Sequence, residues 1–141
     1  MNADKHRPQY AALPFRRRGP VIEVLLITSR ETGRWIIPKG WPVEGLPPHV
    51  AAAREAQEEA GLVGRISEHT IGRFHYDKRL ADGSSVPCAV EVFTFEVDQQ
   101  MQSWPERDER RTRWFTADEA AEAVQERELK AIIRGLRGNL G

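Results

Sequence analysis

The sequence predicts one layered domain of mixed strands and helices, α/β or α+β in class, on three observations. Val21–Thr28 is rich in branched residues and bounded by turn formers, the pattern of a buried strand. Residues 48–60 are alanine-rich between a proline and a glycine, the composition of a helix with both ends marked. Strand-like and helix-like segments then intersperse along the chain, so both kinds share one core.

Taken in order, residues 1–8 are polar and aperiodic and are expected to form a flexible tail, leaving 9–141 as a single domain. A first strand over residues 9–15 runs into Arg16-Arg17-Arg18 before Gly19-Pro20 breaks the chain. After Val21–Thr28 comes a second short strand, Trp35-Ile36-Ile37. Residues 40–48 hold Gly40, Pro42, Gly45, Pro47 and Pro48, so neither strand nor helix continues through them and a shaped loop is expected. Pro48 suits the first turn of the next helix, and Gly61 suits its left-handed cap. Residues 65–76 and 86–97 alternate as strands, with Asp82-Gly83 supplying a hairpin turn. Residues 111–115 read as a short strand. Thr116 with Glu119 makes a capping box opening a helix to about Gln125, and Leu129, Ile132, Ile133 and Leu136 stripe a last helix.

Charge balance narrows the function classes. Among 141 residues, 21 Lys+Arg offset 21 Asp+Glu, which argues against a nucleic-acid coat and a polybasic membrane anchor. Cys88 is the only cysteine, so no internal disulfide or cysteine zinc cage forms, and a buried, inert thiol is expected. No apolar run approaches the ~20 residues of a membrane span, and MNADKHRPQY lacks a signal-peptide core. These features predict a cytoplasmic protein with neither nucleic acid nor membrane as partner; they leave the choice between monomer and homodimer open.

The helix over residues 48–60 breaks a local rule. At about 100° per residue, Ala52, Ala53, Ala56 and Ala60 share one arc, and Glu58, Glu55 and Glu59 share the next, with Glu59 at the apolar edge. Like charges at i,i+3 and i,i+4 cost a few tenths of a kcal/mol per pair, only partly relieved by Arg54 at i,i+4 to Glu58. Several hard oxygen ligands on one face suit Mg²⁺, which binds through one or two carboxylates plus substrate phosphates.

Gly40 followed by Arg54-Glu55-Ala56-Gln57-Glu58-Glu59-Ala60-Gly61-Leu62 resembles the Nudix box. That pattern is Gly, five residues, Glu, seven residues, Arg-Glu, an aliphatic, any residue, Glu-Glu, any residue, Gly and an aliphatic. Gly40 stands fourteen residues before Arg54, as the pattern requires, and Ala56 is a small version of its aliphatic. One position departs: residue 46 is Leu46 where the pattern has Glu, with Glu44 nearby as a stand-in.

The resemblance implies a three-layer α/β/α sandwich with a mixed sheet. It further implies hydrolysis of a phosphoanhydride by water with Mg²⁺, for which Mn²⁺ substitutes. On it, Glu55, Glu58, Glu59 and the Gly40 carbonyl hold metal, Arg54 and Glu58 are catalytic, and the base is Glu58 or a late-loop carboxylate among Glu106, Asp108 and Glu109. The run Trp35-Ile36-Ile37-Pro38-Lys39-Gly40, and later Arg113-Trp114-Phe115, are similar to the subgroup that hydrolyses diphosphoinositol polyphosphates and dinucleoside polyphosphates. Nucleoside triphosphates or ADP-ribose are the alternative substrates. A non-catalytic Nudix-fold nucleotide-binding module is the alternative of another class, and the retained repulsive cluster argues against it.

Arg16, Arg17, Arg18 and Lys39 are expected to bind substrate phosphates, since Arg grips phosphate bidentately and Lys as a point charge. Arg30, Arg34, Lys78 and Arg79 flank the same elements. His49, His69 and His75 lack ligand spacing and read as surface or packing residues, with His75 also able to reach substrate; Trp41 either stacks on a base or covers the site.

Overall fold

The computed structural model describes residues 5–140. Its elements run β1 (Arg7–Arg18), β2 (Val21–Thr28), β3 (Trp35–Ile36), β4 (Lys39–Gly40), α1 (Pro48–Ala60), β5 (Leu62–Arg79), β6 (Ser85–Gln100), β7 (Thr112–Thr116), α2 (Ala117–Ala123), α3 (Arg127–Arg134) and α4 (Leu136–Asn139). Strand β1 is the hub. One edge runs parallel to β6, from Arg7 opposite Cys88 to Phe15 opposite Glu96. The other edge is shared: Tyr10 and Ala11 pair with Gly40 and Lys39 of β4, and residues 15–18 pair with the start of β2. Strands thus lie in the order β3-β2-β1-β6-β5, with β7 on the free edge of β2, and the single parallel pair makes the sheet mixed.

Side chains alternate across each strand, so the sheet has two apolar faces. On one, Ala52, Ala56 and Ala60 of α1 pack on Ala12, Leu25, Ile27, Leu62, Phe93 and Phe95. On the other, Ala120, Ala121, Leu129, Ile133 and Leu136 from α2, α3 and α4 cover Ala11, Leu13, Leu26, Phe74, Val90 and Val92. Each fully buried Leu among these contributes roughly 1.5–3 kcal/mol. The result is the expected three-layer sandwich. None of the described helices is long and apolar enough to cross a membrane.

Several boundaries move for identifiable reasons. Arg7 and Pro8, expected in the tail, belong to β1 because the parallel ladder with Cys88 and Ala89 reaches them; residues 1–4 lie outside the described residues. Strands β5 and β6 outrun the alternating segments because their ladder extends from Leu62–Gln100 to Arg79–Ser85, with irregularities between Val63 and Gly64 and between Ile66 and Gly72 that break the period. The stripe Leu129–Leu136 spans two helices, since the chain bends at Gly135. Gly40, expected to open the loop, forms a two-residue strand with Lys39. The capping box is present in full, Thr116 Oγ1 accepting from Glu119 N–H and Glu119 accepting from Thr116 N–H, and Cys88 is buried and free.

Gly61 ends α1 with φ 69°, and its N–H donates to Gln57 O at 2.9 Å. A methyl at this position would run into the indole of Trp104. An L-residue held left-handed costs roughly 1–2 kcal/mol before any collision, so Gly61→Ala should destabilise by at least that much in urea unfolding. A loss well under 1 kcal/mol would mean that the Trp104 ring yields freely.

Candidate active site

The helix α1 starts at Pro48 without a side-chain cap and delivers its carboxylates to the end of the sheet where β4 meets β1. Glu59 is buried at 6% exposure, as its place on the apolar edge of the wheel requires. Glu55, one turn earlier, shares a hydrogen bond with it. A Cβ on Gly40 would occupy the space of the Glu55 carboxylate. Glycine is therefore what lets backbone and carboxylate come together here, with Gly40 fixed by its pairing to Tyr10.

Burial raises Glu59 to about 8; Arg110 opposes the shift and the neighbouring Glu55 adds to it. Glu55 is raised too, first by burial and then by Glu58 and Glu106, against which the bond from Glu59 works. Burial lowers Lys39 to about 8 against the pull of Glu59 and Glu126. Its Nζ lies 4.9 Å from the centre of the Tyr76 ring. Burial pushes both carboxyls above their ordinary range, and a cation beside them would favour their charged forms. Among the described residues no three His, Cys, Asp or Glu side chains converge as a ready-made cage. The pair suits a hard ion that takes one or two carboxylates and completes its shell with water and phosphate.

The structure does not bring Glu58 and Arg54 to this point. They pair with each other at 3.1 Å on the solvent side of α1, because one residue's rotation carries Glu58 away from Glu59. Arg54 and Glu58, expected as catalytic and Glu58 also as a metal ligand, thus do not line the cleft in this arrangement, although Glu58 lies close enough to raise Glu55. Glu44 is exposed, and neither it nor Leu46 lines the cleft.

Sequence reasoning missed Arg110. Its guanidinium, 8% exposed, lies 2.8 Å from Glu106 and 3.8 Å from Glu59, and donates to Thr28 O at 3.1 Å. Glu106 is the late-loop carboxylate that reaches the cleft; Glu109 binds Arg30 at 2.7 Å, and Asp108 stays exposed in the short 3-10 turn Arg107–Glu109. The loop is tied to α1 by Glu106 N–H donating to Glu58 O at 3.1 Å and by Gln100 Nε2 donating to Ala60 O at 2.9 Å.

A cleft of about 780 Å³ opens above the carboxylates. Arg30, Arg34, Lys39, Lys78, Arg79 and Arg110 line it, and Glu31, Glu55, Glu59, Asp77, Glu106 and Glu126 balance them one for one. Trp41 and His75 line it as well, His75 with Nδ1 3.0 Å from Glu128. His49 and His69 border a separate shallow hollow. Arg16, Arg17 and Arg18, expected as phosphate ligands, do not line the cleft. They sit at the other end of β1, where Arg16 binds Glu23 at 2.7 Å and lies 4.0 Å above Trp114, Arg17 binds Glu96 at 3.2 Å, and Arg18 approaches Glu23 at 3.8 Å.

A family model described as NUDIX domain matches residues 5–135. The chain is 31% identical over 121 residues to Nudix hydrolase 16, mitochondrial, of Arabidopsis thaliana, covering 83% of this chain and 67% of that protein. It is 30% identical over 106 residues to diphosphoinositol polyphosphate phosphohydrolase 3-alpha of Mus musculus, covering 73% and 60%. The chain spans between about half and two thirds of the length of such curated relatives, from 49% to 67%. The fold matches the crystal structure of C. elegans Ap4A hydrolase with a TM-score of 0.73 and 21% identity, over 96% of this chain and 99% of that one. With a family match over nearly its whole length, the box residues from Arg54 to Gly61 on α1 and Gly40 set against Glu55, this chain belongs to the Nudix hydrolase family.

Proposed function

We propose that this chain hydrolyses a phosphoanhydride with Mg²⁺, Mn²⁺ serving as substitute, and that its substrate is a dinucleoside polyphosphate rather than a diphosphoinositol polyphosphate. The observation that carries the reaction is the Glu55–Glu59 pair lying against Gly40 at the base of a cleft lined with Arg and Lys. Glu55 and Glu59, with the Gly40 carbonyl, are the groups that hold the metal. The ion supplies charge neutralisation of phosphate oxygens and acidification of water. Water attacks phosphorus, the bond to the bridging oxygen breaks, and the water proton passes to a carboxylate in the cleft; we assign that role to Glu106, which lines the cleft and is bound by Arg110 at 2.8 Å. Lys39, Lys78 and Arg79 bind and orient the phosphates.

Stacking supports the choice of substrate. Trp41, 37% exposed on the cleft wall, offers a face on which a base stacks. Phosphate release should be measured across dinucleoside tetraphosphate, diphosphoinositol phosphate, ADP-ribose and nucleoside triphosphates, with and without Mg²⁺. The dinucleoside substrate should give the highest kcat/KM, and omission of metal should remove it. Replacing Arg16, Arg17 and Arg18 together by Ser should leave KM within about twofold, a change of only ~0.4 kcal/mol. A tenfold rise confined to polyphosphates would return the triplet to the site.

A further inference from the structure

Gln9 is 2% exposed, yet no function described so far uses it. It stands on β1 one residue before Tyr10, which faces α1, so its side chain emerges on the opposite face with Ala11 and Leu13. There the Tyr76 hydroxyl donates to Gln9 Oε1 at 2.6 Å. Burial holds the Tyr76 hydroxyl well above the ordinary range for a phenol, which keeps it a donor. A carboxamide whose oxygen accepts that bond has its NH₂ turned the other way. No hydrogen bond within the described residues engages Gln9 Nε2. Gln9 lines the same cleft as Glu55 and Glu59, beside Lys39, Tyr76 and Lys78. The cleft thus reaches both sides of the sheet around the two-residue β4, with carboxylates on one side and, on the other, an oriented amide that has no partner for its NH₂ among the described residues.

We propose that the Gln9 carboxamide, held through Oε1 by Tyr76, donates from Nε2 to a phosphate oxygen that has passed round β4 to the sheet face opposite Glu55 and Glu59, and so determines specificity for the longer polyphosphates. This rests on the reading of the chain as a phosphoanhydride hydrolase. A substrate with only the two phosphates that the carboxylate side handles leaves Gln9 without a partner, while a four-phosphate bridge reaches it. A neutral donor suits this wall, because it reads an acceptor without adding to the cationic charge of Lys39 and Lys78.

The test is the KM and kcat of Gln9→Met, Gln9→Glu and Tyr76→Phe on a dinucleoside tetraphosphate and on ADP-ribose, with circular dichroism and Tm for each variant. Gln9→Met should raise KM for the tetraphosphate at least fivefold and Gln9→Glu at least tenfold, with kcat within threefold and KM for ADP-ribose within twofold. Tyr76→Phe should raise the tetraphosphate KM in the same sense by about threefold, because the amide loses the bond that orients it. A wild-type protein that turns over none of the substrates sinks the hydrolase reading. Turnover in the wild type with equal losses on both substrates, or with no loss, overturns the role of Gln9 alone. If a Gln9 variant does not fold, Tyr76→Phe decides by the same criterion.

Discussion

Glu59→Gln and Glu55→Gln should each lower kcat/KM by at least about 100-fold, ~2.7 kcal/mol of transition-state stabilisation. Gln keeps the shape of the side chain and removes the charge on which a divalent ion depends. Stability should move the other way. Glu59 is raised from its ordinary value to about 8 by burial, so its folded-state protonation contributes stability that is complete below the ordinary carboxylate range and is lost as pH rises through about 8. A neutral Gln carries no such loss. In the presence of a chelator, Glu59→Gln should therefore match the wild type in Tm at acid pH and exceed it at pH 8–9. Steady-state kinetics and thermal unfolding across pH 5–9 check both halves. Retention of more than a tenth of wild-type kcat/KM by both variants would remove these residues from the metal site.

How much of this was legible in the sequence depended on whether the signal was local. The helix Pro48–Ala60 was readable to the residue, because Pro48 and Gly61 mark its ends and alanine fills its buried side. Glu59 was readable as a buried acid because 100° per residue puts it beside Ala52 and Ala56. The direction in which β1 points was not. Gln9 and Tyr10 stand at the cleft end and Arg16–Arg18 at the far end, a difference set by which half of β1 pairs with β4 and which with β2. No composition of the strand itself carries that information. The box pattern does not say which of two adjacent acids turns inward, and in this structure Glu58 turns outward to Arg54. Arg110 was hidden altogether. It lies in an aperiodic polar stretch, and one of its partners, Thr28, is 82 residues away in sequence.

Arg110→Met should be the most destabilising single change in the cleft, by about 2–4 kcal/mol at neutral pH, because removing one partner of a buried charge pair leaves the other uncompensated. Two acceptors lose their donor at once, Glu106 at 2.8 Å and Thr28 O at 3.1 Å, and Glu59 at 3.8 Å loses a facing charge. Methionine fills comparable volume, so the loss is one of charge and hydrogen bonds more than of packing. The cost should also depend on pH in a definite sense. Arg110 holds Glu59 down against the rise caused by burial, so its removal pushes the Glu59 carboxyl above its present value of about 8. Below that value Glu59 is protonated in both proteins and neither gains from the guanidinium there. As pH climbs through and beyond about 8, the wild type loses its proton more readily in the folded state than the variant does, and the variant's deficit widens. Urea unfolding of both proteins at pH 6 and pH 9, in chelator, measures this. Glu106→Gln combined with Arg110→Met separates the two carboxylates, since the double variant retains the pH-dependent part that belongs to Glu59 and loses the constant part that belongs to Glu106. A deficit independent of pH would place the value of Arg110 in the late loop alone, fastening Glu106 and Thr28, with no bearing on the charge of Glu59.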